Sequence, residues 1–466
     1  MSYGVDSQHK QYTDYLESWD FIDDFYKGEP RVKAKSITYL PNPFALAEKE
    51  VADTEYAAFK ERAPFLAITT RTTNAMTGLI NRKPAAVELP SAIEYLIANF
   101  NGEGLNIQQH INRTVGEVTR LGRYGLMGEL PESGGQSLAD NMNGSMPYAI
   151  GYKAQDIINW SVDDKKLSLV VLREEVQVED TATIFGYDNE YQYRVLIIND
   201  EGNYEQRLYE SESNSEQAYV EIPVIVGGVQ LKSIPFWFIG SQNNDEQVDE
   251  PPMLPITSAN KTVYQYAADA RNIAHQTSYL TMTINGFNSE KQSKEFFPNG
   301  MCFGTKNVQF LPNDSKGQIL QGAETNAASK GEIQAIEQAT KLGAELITEQ
   351  TNQTATAANI QAASSTSQLQ QIAQNVEDGY KSFINWVAEI LKSSDEYTLE
   401  VNKEFGVFDL TVEERAQFMN EVLNGFTPKT VFNDAMRKAG KFDKDLTDEQ
   451  LAGEVVDSIS NPAGEV

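Results

Sequence analysis

The side chains able to do covalent or metal chemistry are few and scattered. A single cysteine, Cys302, rules out an internal disulfide and a cysteine-based zinc site. The three histidines, His9, His110 and His275, stand far apart within helical patterns, where a lone imidazole reads as a packed or surface residue. Gly304-Thr305-Lys306 lacks the earlier glycine and the hydroxyl after lysine that a phosphate-cradling loop needs. Gly102-Glu103-Gly104 lacks the rest of a dinucleotide fingerprint and follows no strand. There is no GxSxG, no HExxH and no acidic EF-hand loop. Asp23-Asp24 and Asp163-Asp164 pair carboxylates, but adjacent acids in an acidic chain read as solvated turn residues. No catalytic, metal or cofactor residue is assigned, and the chain reads as a non-enzyme. A hydrolase using an unrecognised carboxylate pair is the alternative from another class.

Charge says more than chemistry. The 466 residues, 40% hydrophobic, hold 38 Lys+Arg against 67 Asp+Glu, a net charge of −29. A free nucleic-acid binder is normally basic, so tight DNA binding over a broad surface is not expected, whereas passive proximity is allowed because like charge keeps a polyanion mobile. Residues 351–376, TNQTATAANIQAASSTSQLQQIAQNV, contain no charged side chain although 23% of the chain is charged. Composition alone gives such a gap in about one window in a thousand. An uncharged Thr/Asn/Gln/Ala stretch between helices suits a backbone that lies near something highly charged without gripping it. The opening MSYGVDSQHK carries no apolar leader and no run of 18 apolar residues occurs, so the expectation is a reducing, cytosol-like compartment and no membrane.

The elements that would position these residues can be read from periodicity. Tyr12, Tyr15, Leu16, Trp19, Ile22 and Tyr26 mark an amphipathic helix over 8–27, ended at Lys27-Gly28-Glu29-Pro30. Prolines 41 and 43 require 39–43 to be extended. Helices are expected at 45–62, 66–81 and 105–121, then a short buried strand over 122–131. From Tyr148 to Ile239 the pattern is period 2, with strands at 167–174, 191–198, 204–209, 220–226 and 234–239. An acidic loop, 241–252, reads as a boundary. Beyond it, Ile256, Ala259, Val263, Tyr266, Ala270, Ile273, Thr277, Leu280 and Ile284 form one stripe, a rod of about 44 Å. Residues 285–326 interrupt with two short strands, near Met301–Phe303 and Val308–Leu311. A second helix runs from Ser329 to Ile347. A third carries Leu369, Ile372, Val376, Tyr380, Phe383, Val387 and Ile390, a heptad-like stripe that needs partners, which neighbouring copies could supply. The end of the chain is a small acidic helical module with capping boxes at 411–414 and 447–450; its acidity argues against a helix-turn-helix DNA reader.

In order along the chain, Arg62-Ala63-Pro64-Phe65 with Thr69-Thr70-Arg71-Thr72, Asn81-Arg82-Lys83-Pro84, Gly122-Arg123-Tyr124-Gly125-Leu126, Pro147-Tyr148 through Ile157-Ile158-Asn159-Trp160, Ile234-Pro235-Phe236, Pro251-Pro252-Met253-Leu254 with Asn260 and Tyr264, and Thr354-Ala355-Thr356-Ala357 resemble the portal proteins of tailed double-stranded DNA bacteriophages, over about residues 10–392. The sequence departs at Glu129-Leu130-Pro131, where relatives tend to have Asp-x-Pro, and in its acidic C-terminal module, which is placed by position only.

The resemblance implies an α+β portal fold: a mixed α/β wing at 1–253, a two-helix stem at 254–284 and 327–347, a small α/β clip at 285–326, a tunnel loop at 348–358, a long wing helix at 359–392 and a helical crown at 393–466. It implies a homododecameric ring, the head–tail connector of the virion, assembled in the host cytoplasm at a unique capsid vertex, through which the genome is packaged and ejected. Implied partners are the terminase large subunit, which hydrolyses ATP and docks on the clip, the major capsid and scaffolding proteins, a tail adaptor, and passing double-stranded DNA without sequence specificity. No cofactor is implied. On this reading Gln350, Thr351, Asn352, Gln353, Thr354 and Thr356 are tunnel-loop residues offering neutral hydrogen bonds. Glu332, Glu337, Lys341 and Glu345 line a mostly electronegative channel. Lys291, Lys294, Phe296, Phe297 and Lys306 are clip residues that meet partners. Another ring-forming head–tail adaptor or completion protein is the nearer alternative, against which chain length speaks.

Overall fold

A computed structural model describes residues 4–45, 48–130, 146–179, 186–210, 219–222, 224–226, 229–278, 281–285, 291, 294–295, 316–320, 327–344, 355–393 and 395–403. All of them lie in one unit, Met1–Lys403.

The N-terminal helices form where apolar residues recur every three or four positions. α1 (Lys10–Lys27) buries Tyr12, Trp19, Ile22 and Phe25. His9 caps it, Nδ1 accepting the Gln11 N–H. Gly28, at φ 89, breaks the helix, and Pro30 then opens α2 (Glu29–Ala34). A 3-10 turn at Ser36–Thr38 leaves Tyr39 at φ −111 and ψ −22, not extended as expected. There follow α3 (Lys49–Arg62), α4 (Ile68–Ile80), β1 (Ala86–Glu88), α5 (Tyr95–Ala98) and α6 (Ile107–Leu121). The Asn106/Gln109 capping box starts α6, and Gly122, left-handed at φ 75, ends it.

The strands make two main antiparallel sheets. β2 (Arg123–Glu129), buried along its whole length, is the centre of a three-stranded sheet between β3 (Tyr148–Lys153) and a later strand. β4 (Ile157–Asp163), β5 (Lys166–Glu179), β6 (Tyr187–Ile198), β7 (Tyr204–Glu210) and β8 (Val220–Ile222) form a meander in chain order. β9 (Ile225–Val226) and β10 (Val229–Gln230) pair as a small ribbon, and β11 (Phe236–Gly240) completes the first sheet. The antiparallel body expected between 148 and 239 is therefore present, with β3 and β4 added to the strands named from sequence.

After the acidic loop come α7 (Leu254–Ser278), β12 (Thr281–Asn285), β13 (Lys316–Leu320), α8 (Ala327–Ala344), α9 (Ala355–Leu391) and β14 (Thr398–Glu400). The fold class is α+β. The core lies where α9 crosses the three-stranded sheet and α6. Leu369, Ile372, Ala373, Val376, Tyr380, Phe383, Ile384 and Val387 are buried there, with Phe100 stacked on Tyr380. Gly128 makes this possible: a Cβ on it would sit 2.4 Å from the Trp386 ring of α9.

Four expectations need correction. The first stem helix stops at Ser278, and 281–285 is a strand paired with 316–320; the β-branched Thr281, Thr283 and Ile284 favour a pleated ribbon over a helix. The long helix starts at Ala355, so the last part of the expected tunnel loop is helical, as Ala355, Ala357 and Ala358 favour. The crown boundary at 393 falls too early, because β14 pairs with β1 and Leu399 and Val401 are buried. The α9 stripe, for which neighbouring copies were an expected source of partners, is buried within the chain from Leu369 to Val387. The strands expected near 301–303 and 308–311, and the C-terminal module, lie outside the described residues.

Candidate functional site

The segment that could work as a mechanical part is the run from α7 to α9, and its roots are polar. Asn260, fully buried, accepts hydrogen bonds on Oδ1 from the Thr69 backbone N–H (3.1 Å) and hydroxyl (3.2 Å), and its Nδ2 donates to the Leu66 carbonyl (2.7 Å). The Thr257 hydroxyl donates to the Met253 carbonyl at 2.8 Å, and Gln265 donates to the Tyr39 carbonyl at 2.9 Å. Tyr264 packs its ring against Phe65 in a cluster with Phe25, Tyr39, Tyr56 and Phe59. Thr69, Met253, Asn260 and Tyr264, which carry the resemblance in sequence, thus meet at one place.

From that root α7 leads into β12, which pairs antiparallel with β13, and α8 returns along α7. Val263 and Ala335 meet between the two helices beside Ala259, Ile336 and Ile68. The Tyr266 ring lies over Gly331, where a Cβ would be 3.1 Å away. Small residues let the helices approach closely. α9, 37 residues long or about 56 Å, then runs into the core. Its C-terminal half is clamped: Glu377 bonds Lys381 (2.7 Å), Lys403 (2.9 Å) and the Val401 N–H (2.9 Å).

The sequence-predicted residues fall unevenly on this frame. Glu332 is half-buried and Glu337 exposed on α8, with Lys330 exposed nearby. Lys341 belongs to α8 and Glu345 lies outside the described residues. Lys291 and Lys294 are exposed in short helical stretches, whereas Phe296, Phe297 and Lys306 fall outside. Gln350, Thr351, Asn352, Gln353 and Thr354 are also outside. Thr356 is in the first turn of α9 and not in a loop.

Several buried ionic groups were not legible as such. Asp24 is not a solvated turn acid: α1 runs through it, and Arg31 (2.7 Å), Tyr39 Oη (2.7 Å) and Lys35 (3.4 Å) converge on its carboxylate. Burial and then that hydrogen bond push the Tyr39 phenol well up. Asp163 and Asp164, by contrast, are exposed in the β4–β5 turn as expected. Arg123 is sandwiched between the Trp160 (4.3 Å) and Phe238 (4.1 Å) rings and donates to the Glu246 and Gln247 carbonyls; burial pulls it down to about 9. The acidic loop is thereby fastened to the sheet, and Asp249 closes it by accepting the Gln242 and Asn243 N–H groups. Glu129, the departure noted in sequence, is buried and accepts from Arg194 (3.3 Å), Gln206 (3.2 Å) and its neighbour's N–H (3.0 Å). Burial raises its carboxyl despite Arg194. In Glu174 burial acts the same way, but Arg194, Tyr152 and Gln192 outweigh it and hold the group low. His110 is packed: burial, then Arg113, pulls it down to about 3, so the imidazole is neutral. Among the described residues no His, Cys, Asp and Glu cluster could hold a metal ion, and no helix is long and apolar enough to cross a membrane.

Residues 252–391 match a domain of unknown function, DUF4055, a span that coincides with α7 through α9. No curated protein matches the chain significantly by sequence. Among solved structures it is similar to a chain of the native gene transfer agent (GTA) particle virion, at 10% identity and TM-score 0.41, over 80% of this chain and 89% of that one. It is also similar to chains from the neck of the empty GTA particle in C6 symmetry (10%, TM-score 0.42, 82% and 92%) and the neck of the native particle in C12 symmetry (11%, TM-score 0.40, 80% and 89%).

Proposed function

We propose that the chain is the portal protein of a tailed double-stranded DNA phage. Copies form a ring at one capsid vertex, and the ring is the channel for genome packaging and ejection. The observation that carries this reading is the run α7, β12–β13 ribbon, α8, α9. Two helices return on each other from a polar root, a ribbon tips them, and a long clamped helix leads back into the body. Such a run suits a part that transmits position and force. The chain then does no chemistry; an ATP-hydrolysing terminase large subunit docks at the ribbon end and a tail adaptor follows. Major capsid and scaffolding proteins meet the outer body, and DNA passes without sequence readout. With −29 per copy, the bore repels DNA from its walls. Mass photometry of the purified protein tests the reading: twelve chains of 51.9 kDa give a particle of about 620 kDa. A monomer at every concentration and salt would overturn it.

A further inference from the structure

The outer half of the β5–β6 hairpin stands apart from its sheet. β4 pairs with β5 only as far as Leu172, because the chain before Ile157 is a 3-10 turn, Ala154–Asp156. Beyond that point residues 175–179 of β5 pair with 187–191 of β6, and the outer edge of β5 is open among the described residues. An open edge invites another strand. This ribbon also exposes large side chains: Val178 is 42%, Tyr187 61% and Tyr191 49% exposed. By register Tyr187 and Tyr191 share one face with Glu175, while Val176 and Val178 share the other with Asp188 and Glu190.

Its charge is one-sided. Residues 174–179 and 187–192 carry Glu174, Glu175, Glu179, Asp188 and Glu190 and no lysine or arginine. Glu174 is committed to Arg194, while Glu175, Asp188 and Glu190 are exposed. The tyrosine rings accept cations, as the Arg173 guanidinium lying 5.0 Å from the Tyr191 centroid demonstrates. Over Tyr187 no cation lies among the described residues. A second ribbon would set acid against acid, and a nucleic acid offers phosphate where cations are needed.

We infer that this ribbon is a docking strand for a lysine- or arginine-bearing extended segment of another protein. The segment pairs with the open edge of β5; its cations on one face meet Glu175 and cover Tyr187, and those on the other face reach Asp188 and Glu190. The inference does not rest on the ring, so it fails or survives separately from the portal reading.

The test uses the full chain and two synthetic nine-residue peptides, one repeating Lys-Lys-Val and the other Glu-Glu-Val, so that an added strand carries charge on both faces. Hydrogen exchange is followed at 175–179 and 187–191, and affinity by fluorescence anisotropy over a salt series. The lysine peptide is expected to protect those amides and to lose affinity as salt rises. Tyr187→Ser with Tyr191→Ser, which leaves the charge unchanged, is expected to weaken it roughly tenfold. Asp188→Lys with Glu190→Lys is expected to transfer binding to the glutamate peptide, which keeps the test decisive if the serine pair perturbs folding. Protection elsewhere, unchanged affinity of the serine pair, or equal binding of the glutamate peptide by the parent chain overturns the inference.

Discussion

Replacing Asn260 by alanine removes the polar root of α7, and the cost can be worked from its contacts. Asn260 is fully buried; its Oδ1 takes two hydrogen bonds from Thr69 and its Nδ2 supplies one to the Leu66 carbonyl. The alanine strands the Thr69 N–H and the Leu66 carbonyl away from water. At about 1–3 kcal/mol for each of the two stranded groups, the loss comes to about 2–6 kcal/mol. Asn260→Asp separates charge from geometry. Its new oxygen faces the Leu66 carbonyl, so burial and that contact raise the carboxyl above its unfolded value of about 3.9. A raised folded-state value means the protonated form, which can still donate, is the stable one. Stability is therefore fully present below about pH 3.9 and is lost as pH rises through the raised value. Urea unfolding followed by tryptophan fluorescence at pH 5 and pH 8 reads both effects. The alanine chain should be destabilised equally at the two pH values relative to the parent, the aspartate chain more at pH 8. An alanine variant within about 0.5 kcal/mol of the parent would refute the reasoning.

Other outcomes follow from the buried charges and the uncharged segment. Arg194→Met leaves the Glu129 and Glu174 carboxylates buried without their shared cation and should cost about 3–5 kcal/mol by urea unfolding. Glu129→Gln should flatten the pH dependence: with the folded value raised, the parent's contribution is complete below about pH 4.3 and falls as pH rises through it, whereas the amide does not titrate. On the proposed portal reading, Gln353→Lys and Thr354→Lys should leave ring mass unchanged while impairing packaging or ejection, since each lysine would be repeated around the bore; failure to form rings would make this segment an interface instead.

What could be read from the sequence was local. The α6 boundaries follow from Asn106, Gln109 and Gly122, and the strands from alternation, because these signals lie within a few residues of what they determine. The failures involve partners far along the chain. Leu280 and Ile284 continue the helical period of α7, but 281–285 is drawn into a ribbon by 316–320. Arg123 reads as a lone base on an apolar strand until Trp160, Phe238 and the 246–247 carbonyls surround it. Asp24 looks like half of a solvated pair because its donors stand at 31, 35 and 39. The α9 stripe resembles an oligomer seam because Phe100 and the β2–β11 sheet, which cover it, come long before it.

The same distinction changes what the uncharged stretch means. Leu369, Ile372, Ala373, Asn375 and Val376 are buried, with Asn375 donating to the Gly240 carbonyl at 2.9 Å. Residues 369–376 are therefore largely neutral because they pack on the first sheet, a reason that has nothing to do with a passing polyanion. The anomaly left for a channel to explain is 351–368, and composition alone gives a gap of that length in about one window in a hundred. Bias of that size supports a neutral loop much less than the whole stretch does. The weight moves to sequence position: 351–354 fall between the end of α8 at Ala344 and the start of α9 at Ala355. On the proposed portal reading a moving polymer is met at that segment, so substitutions at Gln353 and Thr354 discriminate, whereas exposed Gln370 and Gln371, beside the packed sheet, should accept lysine without effect on packaging.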